Sequence, residues 1–404
     1  MNRALFAGLA GTMNNQTRLD IIGNNLANAN TIGFKQSRVT FRDTYYQTLR
    51  SGCGSTAESG AVNPIQVGSG NALAGVQTLY TQGSLGSTGQ ALDAAVEGNG
   101  MFVLSDGETQ WFTRDGSFAL DDTYTLVSSH NGMRVQGWLA DSGTIDTTAA
   151  LTNLEFPMGQ MTAGDASTEV AMGGNLDAGA TVGDSIVTSI NVYDSLGVAH
   201  ELTVTMTNNA AANTYDVEVL CAGTTATGQI TFDELGVLAT GSPVSISFSP
   251  GGGAEDPQVV NVDFSAVTQL AHDGNAAARL QNGRPAATLT DVSIQENGMI
   301  VGAYNDGRQV TLGRIALAAF ANPAGLERTG NNLYKAGSAT GEVLIGAADS
   351  GGRGRVVAQA LELSNVDLTE AFVDMISTQR AFQASTRVIS AADKLLEEVM
   401  RLAN

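Results

Sequence analysis

The C-terminal end of the chain carries an apolar repeat that constrains the fold more than any other feature. Apolar side chains recur every seven residues over more than four heptads, and a second, mostly smaller series follows three positions later. Two such positions per heptad are typical of a helix that packs closely against other helices. We therefore predict a helix over residues 366 to 402, and we call the face formed by the two series the heptad seam. The first series is Leu368, Met375, Phe382, Ile389, Leu396 and Ala403, and the second is Ala371, Thr378, Ser385, Ala392 and Val399.

A second helical pattern lies at the N-terminal end. Apolar residues at three-, four- and seven-residue spacings form one stripe between residues 3 and 27. An asparagine-rich run followed by Gly33 then ends the helix, because asparagine side chains compete for backbone hydrogen bonds and glycine accepts left-handed geometry. The stripe consists of Leu5, Leu9, Met13, Leu19, Ile22 and Leu26.

Two arrangements of these terminal helices fit the spacing equally well. In one, the apolar stripes pack against helices of other copies of the chain. In the other, the two helices form an intramolecular hairpin on a globular core. The spacing favours neither arrangement, since both bury the same stripes.

The sequence between the two ends has the pattern of β structure. Asparagine-glycine pairs, which are typical of hairpin turns, lie between short apolar or alternating runs. Residues 185 to 193, 201 to 206, 215 to 220 and 243 to 248 alternate and are rich in valine, threonine and isoleucine, which predicts a sandwich or a barrel. Residues 50 to 75 are rich in glycine and serine instead, and they indicate a flexible or extended connector.

Length and charge both indicate more than one domain. At 404 residues the chain exceeds the size at which one hydrophobic core stops growing. The net charge is −20, and residues 151 to 284 hold 15 acidic and 2 basic side chains, whereas the first fifty residues hold six basic and two acidic ones. Such asymmetry marks a domain boundary or a change of environment. The acidic excess also argues against nucleic acid or anionic lipid as a partner.

Nothing in the sequence points to catalysis or to a cofactor. It contains no phosphate-binding loop, dinucleotide-binding fingerprint, nucleophile elbow or zinc-protease motif. His130, His200 and His272 are isolated from one another, which favours structural roles. Cys53 and Cys221 offer neither a disulfide framework nor metal-ligand spacing, and no apolar run reaches the length of a membrane span. We therefore expect no enzyme activity, cofactor, metal or membrane insertion.

Four stretches of the sequence resemble the bacterial flagellar rod and hook family. Residues 19 to 41, LDIIGNNLANANTIGFKQSRVTF, are similar to the N-terminal signature of that family. Residues 361 to 400, LELSNVDLTEAFVDMISTQRAFQASTRVISAADKLLEEVM, are similar to its C-terminal signature. Residues 80 to 103, YTQGSLGSTGQALDAAVEGNGMFV, match a further region. Residues 191 to 204, NVYDSLGVAHELTV, resemble the hook members of the family specifically.

The resemblance implies a mixed α and β fold with domains nested in sequence. The terminal helices would form a coiled-coil-like inner domain, and two all-β domains would lie between them in sequence, the outer one inserted into the middle one. The acidic excess of the inserted block agrees with a domain that faces water. The implied boundaries are 1 to 30 and 363 to 404 for the inner helices, 31 to 75 for the connector, 76 to 150 and 285 to 362 for the middle domain, and 151 to 284 for the outer domain.

The same resemblance implies a structural subunit that polymerises into a flexible, curved tube between the motor rod and the filament, where it transmits torque. Its partners would be other copies of itself, the distal rod protein, the hook cap protein, the hook-filament junction protein and the flagellar type III export apparatus. Export would leave it outside the cell without cleavage of a signal peptide, since the N-terminus lacks the pattern of one. The polymerisation interface would contain Leu5, Leu9, Met13, Leu19, Leu26, Leu368, Met375, Phe382, Ile389 and Leu396.

Two other functions remain open at this point. A distal rod protein of the same family fits the terminal signatures, although such a protein would lack the large outer insertion and the YDSLG stretch. A secreted adhesin or a carbohydrate-active β protein fits the central block, with the terminal helices serving only as anchors.

Overall fold

Two long helices lie at the ends of the chain. The first, α1, spans Asn2–Ala27, and the second, α2, spans Leu368–Leu402. Both predicted helices are therefore confirmed, except that the seam position Ala403 lies outside the described residues. The computed structural model describes residues 2 to 54, 60 to 141 and 143 to 402.

Local signals set the inner end of each helix. The side chain of Asp367 caps α2 by accepting hydrogen bonds from the amides of Thr369, at 2.7 Å, and Glu370, at 3.2 Å. After α1 the chain turns through the asparagine-rich run to Gly33, whose φ of 67° is left-handed. A β carbon at Gly33 would lie 2.9 Å from the backbone nitrogen of Asp115, so this turn requires glycine.

The predicted connector is a β ribbon. Its strands are β1 (Ser37–Asp43), β2 (Tyr46–Arg50), β3 (Ile65–Gly68) and β4 (Asn71–Thr78). Strand β1 pairs with β4 and β2 pairs with β3, both antiparallel, so the chain runs out and back as a long hairpin. The backbone is extended, as the composition indicated, but the pairing of the strands was not predicted. Residues 55 to 59 of the connector lie outside the described residues.

The chain divides into two compact units. Unit 1 contains the described residues of Met1–Phe156, Val292–Val301 and Val310–Asn404, and unit 2 contains Pro157–Asp291 and Gly302–Gln309. The block predicted as an inserted domain therefore lies largely in unit 2, and the segments before and after it in sequence lie largely in unit 1.

The strands that follow the ribbon belong to unit 1. In chain order they are β5 (Leu85–Ser87), β6 (Ala94–Glu97), β7 (Met101–Ser105), β8 (Gln110–Thr113), β9 (Phe118–Leu120), β10 (Leu126–Ser128), β11 (Arg134–Asp141), β12 (Thr144–Ile145) and β13 (Thr152–Asn153). Strand β7 pairs with both β8 and β11, and its five residues are buried. It therefore lies at the centre of this part of the structure.

Unit 2 is a two-sheet β sandwich. One sheet has the strand order β16, β17, β18, β19, β20, and the other has the order β21, β22, β15, β23, in which β15 and β22 are parallel. Both sheets contribute to one apolar core, so of the two architectures predicted, the sandwich is the one found. The strands in this part of the chain are β14 (Met161–Thr162), β15 (Glu169–Asp177), β16 (Ser185–Tyr193), β17 (Ala199–Asn208), β18 (Thr214–Cys221), β19 (Thr224–Phe232), β20 (Leu238–Thr240), β21 (Val244–Phe248), β22 (Gln258–Leu270), β23 (Ala277–Gln281) and β24 (Ala287–Ile294), of which β15 to β23 form the two sheets.

Period-two alternation explains why this sequence forms the sandwich. In β18, Val217 and Val219 are buried whereas Asp216 and Glu218 are exposed. Alternate residues of a strand point to opposite faces of the sheet, so the apolar set enters the core and the acidic set faces water. The outer face of β18 therefore contributes to the acidity of this block.

The chain then completes unit 1, apart from Gly302–Gln309, which belong to unit 2. Strand β27 pairs with β7, and β29 pairs with β8, both antiparallel. The resulting core includes Val103, Phe112 and Trp138, and we call the strands of unit 1 outside the ribbon its β body. The last strands are β25 (Met299–Tyr304), β26 (Gln309–Ile315), β27 (Leu317–Phe320), β28 (Leu326–Gly330), β29 (Leu333–Ala336), β30 (Val343–Gly346), β31 (Arg355–Ala358) and β32 (Ala360–Glu362), and short 3₁₀ turns lie at Glu296–Gly298 and Pro323–Gly325.

Candidate functional site

The two terminal helices pack against each other as an antiparallel pair within one chain. A β carbon added at Gly8 of α1 would lie 2.9 Å from Cγ1 of Ile389, and one added at Gly11 would lie 3.0 Å from Oγ of Ser385. The missing side chains of these glycines let the two backbones approach closely. The pair is therefore built on small residues of α1 that face the heptad seam of α2.

The heptad seam lies on the face of α2 that meets α1. Thr378 and Ala392 are the buried residues of this helix, and seven-residue spacing places them on the same face as Ser385. Of the two arrangements that the spacing left open, the intramolecular pair is the one present in this structure. Among the predicted seam residues of α2, Met375, Phe382, Ile389 and Leu396 are half-buried and Leu368 is exposed.

The predicted interface residues of α1 fall into two groups. Leu5, Leu19 and Leu26 are half-buried. Leu9 and Met13 are exposed, with 62% of Met13 accessible. The structure therefore does not gather the predicted interface residues on one surface, because some pack within the chain and others face solvent.

A further set of apolar side chains on both helices is exposed and was not predicted. On α1, Phe6 is 61% exposed and forms a stripe with Leu9 and Met13 at helical spacing. On α2, Val388, Leu395 and Leu402 recur every seven residues, so their period was visible in the sequence. Sequence reasoning did not identify them, because the seam is the longer seven-residue repeat on the same helix. The exposed apolar residues of α2 outside the seam are Phe372, Val373, Ile376, Val388, Leu395, Met400 and Leu402.

The β ribbon lies along α1. The side chain of Asn25 exchanges two hydrogen bonds with the backbone of Ser37: Nδ2 donates to the carbonyl oxygen at 2.7 Å, and Oδ1 accepts from the amide at 2.9 Å. Nearer the N-terminus, Nδ2 of Asn14 donates to the carbonyl oxygen of Asn71 at 2.9 Å. Asparagines of α1 therefore hold the ribbon through its backbone.

Three charged side chains meet in the interior of unit 1, where the helices join the β body. Oε1 of Glu362 accepts a hydrogen bond from Nζ of Lys35 at 2.6 Å, and Oε2 accepts one from Nη1 of Arg114 at 3.2 Å. Lys35 also donates to the carbonyl oxygen of Thr81 at 2.8 Å, and Nη2 of Arg114 donates to that of Gly98 at 2.6 Å. We call Lys35, Arg114 and Glu362 the buried charge cluster.

Burial dominates the electrostatics of this cluster. Lys35 and Glu362 have no exposed surface, and Arg114 is 5% exposed. Burial lowers the pKa of the Lys35 ammonium group although Glu362 opposes this effect, and burial likewise lowers the pKa of Arg114. Sequence reasoning missed the cluster because Lys35 and Glu362 are 327 positions apart, and no local sequence pattern predicts such a contact.

The YDSLG stretch forms a structural turn in unit 2. Oδ1 of Asp194 accepts hydrogen bonds from the amides of Leu196 and Val198, each at 2.9 Å, and Oδ2 lies 3.1 Å from Nε2 of His200. A β carbon at Gly197 would lie 2.3 Å from the backbone nitrogen of Ala286, so this position requires glycine. The aspartate therefore organises the turn between β16 and β17.

The remaining histidines and cysteines of the described residues lie apart from one another. His130 lies beside Asp115 and Ser117 on the surface. Cys53 is exposed and Cys221 is buried, and burial raises the pKa of the Cys221 thiol to about 11. The described residues contain no group of three or more histidine, cysteine, aspartate or glutamate side chains placed to hold a metal ion. Within the same described residues, no helix is both long and apolar enough to cross a membrane.

The fold, with paired terminal helices and two β units between them in sequence, is that of the flagellar rod and hook class of structural proteins. Family models match four regions of the chain. These are the flagella basal body rod protein over residues 7 to 35, the flagellar hook protein FlgE/F/G D1 domain over 95 to 174, the flagellar basal body protein FlaE D2 domain over 174 to 284, and the flagellar basal body rod FlgEFG protein C-terminal region over 357 to 402.

Curated relatives identify the family. The chain is 36% identical to flagellar hook protein FlgE of Borreliella burgdorferi and 34% identical to that of Treponema pallidum, in each case over the whole of both chains. It is 33% identical to flagellar hook protein FlgE of Salmonella typhimurium, with 96% of each chain covered. The chain therefore belongs to the flagellar hook protein family.

A solved structure supports the fold assignment. The crystal structure of Helicobacter pylori flagellar hook protein FlgE2 matches 69% of this chain and all of that chain, with a TM-score of 0.50 and 16% sequence identity. The predicted combination of terminal helices and β domains is confirmed, as is membership of the rod and hook family.

Proposed function

We propose that this hook-family subunit polymerises through its terminal helices into a flexible, curved tube that couples the motor rod to the filament and transmits torque. The observation that carries the proposal is the exposed apolar surface of the helix pair, with Phe6, Met13 and Leu395 each 60 to 62% exposed. Burial of each such side chain against another copy would contribute about 1.5 to 3 kcal/mol. A patch that binds a different patch on the next copy, through a rotation that does not close, produces an open helical polymer.

The two apolar faces of α2 would have different tasks. The heptad seam holds α2 to α1, so that the two helices form one rigid pair. Its residues are Met375, Phe382, Ile389 and Leu396. The exposed series Val388, Leu395 and Leu402 and the exposed stripe of α1 would then contact neighbouring copies. Within the interface predicted from the sequence, we therefore assign Leu9 and Met13 to contacts between copies. We assign the α2 seam to the contact between the two helices of one chain.

In the polymer, the helices would form the inner layer of the tube and the β domains would lie outside them, as the family resemblance implies. The acidic balance of residues 151 to 284 supports contact with water, because densely packed helices could not accommodate that charge. Small polar contacts between outer domains would be exchanged at little cost as the tube bends.

The subunit would act in the bacterial flagellar hook, outside the cell, as a structural protein without catalytic activity, cofactor or bound metal. Its partners would be other copies of itself and, at the ends of the tube, the distal rod protein, the hook cap protein and the hook-filament junction protein. The flagellar type III export apparatus would deliver it.

Electron microscopy of the purified chain under polymerising conditions tests this function. We expect tubes from the full chain, and tubes with altered curvature from a variant in which a short linker replaces residues 169 to 281, which contain the sandwich strands β15 to β23. If the full chain forms no tubes, the proposed function is wrong. If only the shortened variant fails, the assignment of polymerisation to the helices is wrong.

A further inference from the structure

The buried charge cluster joins three parts of unit 1 that are far apart in sequence. Lys35 lies between α1 and the ribbon, Arg114 follows β8, and Glu362 is the last residue of β32 before α2. The chain segments that connect both helices to the rest of unit 1 therefore meet at one carboxylate.

Backbone contacts reinforce the meeting point. The carbonyl oxygen of Glu362 accepts a hydrogen bond from the amide of Gly33 at 2.7 Å, and its Oε1 accepts one from the amide of Gly83 at 2.9 Å. Oδ1 of Asn365 accepts from the amide of Gln36 at 2.7 Å. Residues 33 to 36 and 362 to 365 are therefore tied to each other and to the chain near Gly83.

Arg328 makes further contacts with the segment that follows α1. Its guanidinium carbon lies 5.2 Å from the ring centre of Phe34 and 5.7 Å from that of Tyr334. The same guanidinium group donates hydrogen bonds to the carbonyl oxygen of Lys35 and to Oγ of Ser37. The segment that leaves α1 is thus held by contacts on its side chains and on its backbone.

Three of the four sequence stretches that resemble the family meet at the buried charge cluster. Lys35 belongs to the N-terminal stretch, Glu362 belongs to the C-terminal stretch, and Gly83 and Gly98 belong to the stretch from residues 80 to 103. Three motifs separated in sequence thus form one buried contact, which gives them a shared physical role.

We propose that the buried charge cluster is an ionic latch that fixes the inner ends of both terminal helices to the β body, with Glu362 as its central residue. The latch makes the helix pair and the β body move together. This consequence rests on the proposed function, because in a bending tube the latch would carry load between the helices and the β body. The latch itself is a property of the single subunit and is testable without a polymer.

The charges of the cluster make the three residues unequal. One carboxylate faces two cations, so removal of Glu362 leaves two buried positive charges without a counter-ion, which is far more unfavourable than the loss of one hydrogen bond. Removal of Lys35 instead leaves Arg114 and Glu362 as a neutral pair. Glu362→Gln should therefore release both helix ends, whereas Lys35→Met should release only the segment that follows α1.

Hydrogen-deuterium exchange of the unassembled full-length chain tests the latch. In Glu362→Gln we expect amide exchange over residues 33 to 36 and 362 to 365 to rise at least about tenfold, with unit 2 unchanged. Glu97→Gln is the matched control, because Glu97 forms an exposed ion pair with Arg355 at 2.5 Å. Exchange in the control should stay within about twofold of the parent chain.

Three outcomes would overturn the proposal. Glu362→Gln could exchange like the control, or its exchange could rise uniformly over unit 1, which would indicate ordinary loss of stability. If Glu362→Gln does not fold, Lys35→Met replaces it, and exchange that fails to rise selectively over residues 33 to 36 would equally reject the latch.

Electron microscopy of assembled tubes tests whether the latch transmits load between the helices and the β body. Where the parent chain forms tubes, Glu362→Gln tubes should show a wider spread of curvature in electron micrographs than Glu97→Gln tubes. An equal spread of curvature, despite faster exchange at the latch, would show that the latch does not transmit load. Absence of tubes from the parent chain would reject the proposed function and leave the exchange result for the latch intact.

Discussion

The terminal helix pair and the sandwich of unit 2 bury their apolar residues in opposite ways. In unit 2, Val204, Val219 and Phe264 have no exposed surface. In the helix pair, the buried residues of α2 are the small Thr378 and Ala392, while large apolar side chains face solvent. The core of the sandwich is thus filled within one chain, whereas the helix pair encloses only a narrow buried stripe, and we propose that other copies cover its exposed apolar surface.

The geometry of the two regions explains this difference. Two facing sheets enclose one side of every strand, so alternation alone buries half of the residues. A helix paired with a single partner buries only a narrow stripe and exposes the rest of its circumference. A helix with two apolar faces therefore gains further burial only through additional neighbours.

The largest expected effect comes from destroying the seam. In the double variant Phe382→Asp with Ile389→Asp, charge enters the face that packs on α1 near Gly8, so the helices should separate and no tubes should form. Electron microscopy measures the tubes, and circular dichroism of the isolated chain measures the expected loss of helix. The matched control is Gln383→Asp with Ser390→Asp, because each of these exposed residues directly follows one of the two seam residues in sequence. Normal tubes from the seam variant would remove the basis of the proposed assembly.

A second variant separates contacts within the chain from contacts between copies. Phe6→Asp with Met13→Asp changes two exposed side chains of α1, so the isolated chain should keep its helix content and melting temperature. Polymerisation should require a protein concentration at least about tenfold higher, because each lost apolar contact is worth about 1.5 to 3 kcal/mol. Light scattering against concentration measures this threshold. Ala4→Asp is a control at another exposed position, and an unchanged threshold in the double variant would assign assembly to other surfaces.

The sandwich should respond in the opposite way. Phe264→Ala removes a fully buried ring from the core of unit 2, and the cavity should lower its free energy of unfolding by about 3 to 5 kcal/mol. Denaturant unfolding monitored by exchange in β17 and β22 reports this loss. Tubes should still form, since the helix pair is untouched. Loss of tubes below the unfolding midpoint of unit 2 would show that the two regions are not independent.

The smallest expected effect concerns the turn of the YDSLG stretch and depends on pH. Burial raises the pKa of Asp194, but hydrogen bonds from His200 and from the amides of Val198 and Leu196 outweigh it and hold the pKa below its ordinary value of 3.8. The ionised carboxylate therefore stabilises unit 2 above the ordinary pKa, and this stabilisation disappears as pH falls through the lower folded value. Asp194→Asn should lower the free energy of unfolding by about 1 to 2 kcal/mol near pH 7.

Urea unfolding of the parent chain and of Asp194→Asn at several pH values measures this effect. The difference between the two should shrink as the solution is acidified below the ordinary aspartate pKa. A difference that stays constant into strong acid would mean that Asp194 acts through its shape and not through its charge.

Local sequence patterns were sufficient to predict both helices and several of the strands. The seven-residue repeat predicted α2, the Asn-rich run and Gly33 predicted the end of α1, and alternation predicted strands such as β16 and β18. These features depend on neighbours a few positions away, because helix and strand periodicity and turn chemistry are local properties of the chain. Motifs at both ends likewise carried the family resemblance.

The partner of each surface, by contrast, depends on how the whole chain folds. The heptad repeat could not specify whether the seam packs against α1 of the same chain or against another copy, because the apolar stripe is the same in both cases. The ribbon strands pair with partners that are distant in sequence, and the glycine-rich composition did not predict this pairing. No local pattern indicates that Lys35 is buried beside Glu362 and Arg114, because burial of a charge depends on counter-charges supplied by distant residues.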